Sequence, residues 1–188
     1  AYSTLSGFAL SGTIKIDEIK IDDVDTNFVR IDAYGDTWGL NALNGNGGAG
    51  GSDSVPTITY PSDDALGLAG NAGQYNYDVS VAGSYVFYFN IIGGGATNGT
   101  AKLVDFSDYS NTTLYVKSST AEKIKVQIVD DGGSHFAFVP DDTNEGTAIS
   151  STWTKYTIPF TSFTEFPGVP AINVAGGFKE FTIVIEEG

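Results

Sequence analysis

The stretch GTIKIDEIKIDD, residues 12–23, decides how this chain is read. Alternation of apolar and polar residues with a period of two marks a half-buried β-strand, and Ile14 and Ile16 alternate with Lys15 and Asp17 in that way. Ile19 and Ile21 keep the alternation but fall on the opposite parity. One residue too many separates the two isoleucine pairs for a regular strand to bury both on one face. A β-bulge at Asp17 and Glu18 absorbs the extra residue and turns a carboxylate off the regular ladder.

The same period runs through the rest of the chain, and no helical stretch interrupts it. Val29, Ile31 and Ala33 alternate with Arg30, Asp32 and Tyr34; Tyr85, Phe87, Phe89 and Ile91 are expected to face a core, with Val86, Tyr88 and Asn90 turned outward. Leu114 and Val116, Ile124, Val126 and Ile128, Phe136 and Phe138, Tyr156 and Ile158, and Phe181, Ile183 and Ile185 continue the pattern. Turn-forming runs such as DDGGS (130–134) and FPGVP (166–170) separate these segments. Many short strands with one apolar face each need a second sheet to cover that face. The expected fold is therefore all-β, an antiparallel two-sheet β-sandwich or jelly roll, as one domain over residues 1–188. LNALNGNGGAGGSDS, residues 40–54, is too rich in glycine to hold a conformation cheaply and is expected to be a loop.

Composition narrows the partners. With 23 acidic and 9 basic residues the chain carries a formal net charge of -14, which opposes binding to nucleic acid or to an anionic membrane. There is no cysteine, so disulfides, thiol nucleophiles and thiolate metal sites are excluded. The chain opens at Ala1 without a basic leader or a long apolar run, so a processed or excised chain is expected, without signal peptide or membrane span. The abundance of Gly, Ser, Thr, Asn, Asp and Tyr fits a secreted, extracellular module.

From Asp105 onward the motifs form a set. Asp105, Phe106, Ser107 and Tyr109 lead into a strand; Lys123 to Ile128 form a Lys-x-Val-x-Ile type strand; Trp153 precedes a strand that ends in Ile158, Pro159 and Phe160. This set resembles the β-sandwich carbohydrate-binding modules of bacterial glycanases, the group of families 11, 30 and 44 and, more distantly, 4 and 22. Those modules close with a strand that Gly12 to Ile19 match and open with an acidic segment that Asp22, Asp23, Val24 and Asp25 resemble. The resemblance therefore implies a circular permutation, with residues 12–21 acting as the closing strand beside the C-terminal FTIVIEEG; the other account is the tail of a preceding module. It also implies a structural calcium between closing strand and opening segment, with Asp17 and Asp25 as matching ligands and Asp22 and Asp23 as near alternatives. An acidic edge that discourages strand addition would look the same in sequence.

Glycans are held by aromatic rings stacked on sugar CH faces and by planar hydrogen-bonding groups. Tyr34 and Trp38 fall at a strand end, Tyr88 opposite the expected buried parity, and Gln127 on the polar side of its strand with His135 as its hairpin partner. Each also has a structural reading, as rim or packing residue. Carboxylates are numerous, but no glycosidase or lyase constellation accompanies them, and His135 has no nucleophile context. The expectation is a noncatalytic polysaccharide-binding module for a β-glucan or related plant or algal glycan, attached to a glycoside hydrolase or another secreted protein. The alternatives are a calcium-stabilised structural or adhesive sandwich and a small β-sandwich glycanase or lyase.

Overall fold

The computed structural model describes residues 11–23, 27–32, 46–50, 57–59, 72–80, 85–91, 103–120, 123–140 and 148–186. In chain order they form β1 (Ser11–Asp22), β2 (Phe28–Asp32), β3 (Asn46–Gly50), β4 (Thr57–Thr59), β5 (Gly73–Asp78), β6 (Tyr85–Ile91), β7 (Asn111–Ser118), β8 (Ile124–Asp130), β9 (Ser134–Val139), β10 (Thr154–Pro159), a single 3-10 turn (Phe160–Ser162), β11 (Thr164–Glu165) and β12 (Phe178–Glu186). Two six-stranded sheets result. The first has the order β10-β7-β1-β5-β4, with β2 also paired to β1; the second has the order β11-β9-β8-β12-β6-β3. All listed pairings are antiparallel, and the inner faces of both sheets share one apolar core, so the molecule is the expected β-sandwich.

The bulge in β1 lies where its parity switches. Glu18 has φ 53, a left-handed conformation that side chains seldom adopt, and the register of β1 against β7 shifts between Asp17 and Lys20. Ile14, Ile16, Ile19 and Ile21 are consequently all fully buried. A bulge breaks the ladder, and two local bonds offset the loss. Asp17 Oδ1 accepts the Glu18 N–H at 2.8 Å, and the Thr112 hydroxyl donates to the Lys20 carbonyl at 3.0 Å.

Three expectations are corrected. The C-terminal strand is not the neighbour of β1: β12 is flanked by β8 and β6, whereas β1 lies between β7 and β5 in the other sheet. The first strand does complete a sheet, but its apolar face meets that of β12 across the core rather than along an edge. Within the Gly-rich segment, residues 46–50 form the edge strand β3, each paired with β6; backbone hydrogen bonds to a neighbouring strand offset the entropy that glycine loses.

The third correction concerns facing. In β6 it is Val86 that is buried and Tyr85 that is exposed, the reverse of the expected parity. In β9 Ala137 and Val139 are buried, and Phe136 and Phe138 lie on the outer face. The cause in β9 is the turn. Gly133, at φ 147, lets residues 131–133 close the hairpin on Val129 and Ser134. A shift of one residue in register moves every side chain to the other face.

Candidate functional site

The outer face of the second sheet carries the largest described group of rings outside the core. Register lines up two rows across it. One runs Phe138, Lys125, Val184, Phe87 and Gly48; the other runs Thr164, Phe136, Gln127, Thr182, Phe89 and Asn46. On one flank Phe136 packs on Phe166 (centroids 4.8 Å apart) and edge-on against Phe138 (5.8 Å). On the other flank Tyr85, 43 % exposed, stacks on Phe87 with centroids 6.2 Å apart and planes at 28°. Between the flanks, Lys125, Thr182 and Val184 on the two central strands are buried.

Polar groups on this face are few and fixed. Lys125 lies with Nζ 5.4 Å from the Phe136 centroid and 5.9 Å from that of Phe166, so its charge is held against ring faces. The Thr182 hydroxyl donates to Glu180 Oε1 at 2.6 Å. Gln127 is half-buried, with Phe136 and Thr182 as its cross-strand partners. An amide beside aromatic rings is the combination that recognises a sugar, the ring taking the CH face and the amide the hydroxyls.

His135 does not belong to this surface, which corrects its assignment as a ligand contact. It pairs with Ile128 instead of Gln127, is fully buried, and places Nε2 3.0 Å from Asp130 Oδ2. Asp130 is a hub: its carboxylate also accepts the N–H groups of Gly132 (2.8 Å), Gly133 (2.9 Å) and Asn173 (2.8 Å). Burial by itself would raise the Asp130 carboxyl, but the Asn173 N–H, the His135 ring and the Gly133 N–H outweigh it and hold the group below its ordinary value. The pair ties the β8–β9 hairpin to the segment before β12.

Tyr34, Trp38 and Asp25 lie outside the described residues, as does the side chain of Tyr88, whose backbone is in register with Ile183. Asp17 and Asp22 are described, and their geometry separates them. They stand opposite Tyr115 and Asn111, four residues apart on β7 and so roughly 13 Å from one another. Two ligands of one calcium lie within about 5 Å, so these two do not share an ion. Asp17 is fully buried beside the bulge. Asp22 accepts the Thr113 hydroxyl on Oδ2 at 2.7 Å, while its Oδ1 is buried without a hydrogen-bond partner; of the two, Asp22 has the oxygen that fits a cation.

The sequence reading missed Tyr85, Phe87, Phe136, Phe138 and Phe166 as surface residues because apolar side chains occupy both parities of their strands. The usable signal was Lys125 and Gln127, whose side of β8 had to be the wet one. Comparison of the chain with protein-family models, with curated proteins and with solved structures gives no match in any of the three.

Proposed function

We propose that the protein is a noncatalytic polysaccharide-binding β-sandwich whose site is the outer face of the second sheet. The observation that carries this reading is the ring-flanked Gln127: Phe136, Phe138 and Phe166 stand on one side, Tyr85 and Phe87 on the other, and a half-buried amide lies between them. Stacking from preformed rings costs little side-chain entropy, and the rows cross several strands, a span suited to a chain of sugars. The low polarity of the face favours a neutral glycan such as a β-glucan. Affinity per site is modest, and attachment to an enzyme or another extracellular protein raises it through effective concentration.

Affinity electrophoresis tests the reading. A soluble mixed-linkage β-glucan, a xylan or a mannan in the gel is expected to retard the protein, with the retardation reduced by Tyr85→Ala and by Gln127→Ala without loss of folding. Absence of retardation in all three gels, or unchanged retardation of both variants, rejects it. A structural calcium, which the sequence resemblance implies, would be held at Asp22. A lower melting temperature in EDTA that Asp22→Asn abolishes supports that placement; a transition indifferent to EDTA removes it.

A further inference from the structure

We propose that the outer face of the first sheet is a second binding surface, for an anionic polysaccharide, built from Lys15, Lys117, Lys155 and the indole of Trp153. The chain has 9 basic residues against 23 acidic ones, yet these three lysines meet on the adjoining strands β1, β7 and β10. Lys15 stands directly opposite Lys117, and Lys155 opposite Tyr115, two residues along β7 from Lys117. Directly opposed like charges weaken a ladder, so sheet stability alone does not account for the arrangement. The described carboxylates of this face lie at its margins or are engaged. Asp78 is tied to Ser80 at one end of β5, Asp22 to Thr113 at the far end of β1, and Glu18 to Lys20 at 2.8 Å; Asp17 is buried.

The neighbours of the lysines are those a sugar uses. Trp153 is half-buried just before β10, with Lys117 Nζ 5.0 Å from its ring, a contact that fixes indole and ammonium together. Gln74, opposite Lys15, is half-buried, and Thr157 on β10 is exposed. A single exposed ion pair is worth only about 0–1 kcal/mol, too little to hold a small anion. A polymer bearing a carboxylate or sulfate on successive sugars engages several lysines at once and gains through repetition. Nucleic acid is a denser polyanion, which the net charge of -14 opposes more strongly.

The same electrophoresis separates the possibilities, with polygalacturonate as the carboxylate probe, dextran sulfate as the sulfate probe, and neutral β-glucan and single-stranded DNA as comparisons. At low salt one or both anionic glycans retard the protein, which identifies the anion. Lys117→Glu and Lys155→Glu each weaken that binding about tenfold, Trp153→Ala weakens it, and Tyr85→Ala on the opposite face leaves it unchanged. Retardation disappears in about 1 M salt, where the Debye length is about 3 Å. Lys155 is exposed, so its substitution reads the site even where Lys117→Glu fails to fold. The proposal is overturned if neither anionic glycan retards the protein, if the lysine substitutions leave retardation intact, if Tyr85→Ala removes it, or if single-stranded DNA is held equally well. The result with neutral β-glucan bears only on the other sheet.

Discussion

Asp130 and His135 show how one residue can be misplaced by a sequence and explained by a fold. A lone histidine in a Tyr- and Asn-rich chain looks like a ligand contact, but here it is a buried partner of a carboxylate that also gathers three backbone N–H groups. Replacing Asp130 by Ala leaves those donors unsatisfied and is expected to cost about 3 kcal/mol. The pH dependence has a definite sign. A carboxyl lowered in the folded state stabilises it fully above its unfolded value, near 4, and that contribution fades as the pH falls through the folded value. Denaturation of the wild type should therefore steepen below about pH 4, and Asp130→Asn should flatten that acid limb. Identical acid limbs in urea titrations would show that the hub carries no such linkage.

At the scale of the element, β1 illustrates what periodicity can and cannot determine. The switch of parity between Ile16 and Ile19 was sufficient to locate the bulge, because a strand must bury both isoleucine pairs or leave one in water. Deleting Glu18 removes the extra residue and sends Ile19 and Ile21 to the outer face. The deletion is expected to abolish the cooperative thermal transition, whereas Glu18→Gly, which suits φ 53, should preserve it. A deletion variant that melts like the wild type would show that the strand re-registers without penalty. In β6 and β9 periodicity was ambiguous. Both parities there carry apolar or aromatic residues, and the choice fell to the DDGGS turn and to pairing with β12.

At the scale of the molecule, the position of the first strand sets the architecture. It lies inside its sheet, with β7 on one side and β5 on the other, and β2 pairs with it beyond the bulge. Removing residues 1–22 should therefore split that sheet and expose the core. Loss of soluble, cooperatively melting protein is the expected result; a truncated chain with an unchanged melting temperature would show that the segment is an appendage. The sandwich also gives each sheet an outer face of its own character, one ring-lined and mostly neutral, the other carrying lysines beside an indole.

The sequence by itself determined the all-β class, the strands with unambiguous alternation and the bulge, because each follows from a local rule on which side chains leave water. The tertiary structure decided which strands are neighbours, which faces Phe136, Tyr85 and His135 take, and that Asp17 and Asp22 stand too far apart to share an ion. Those depend on register and on contacts between residues distant in the chain, which a period-two pattern leaves undefined.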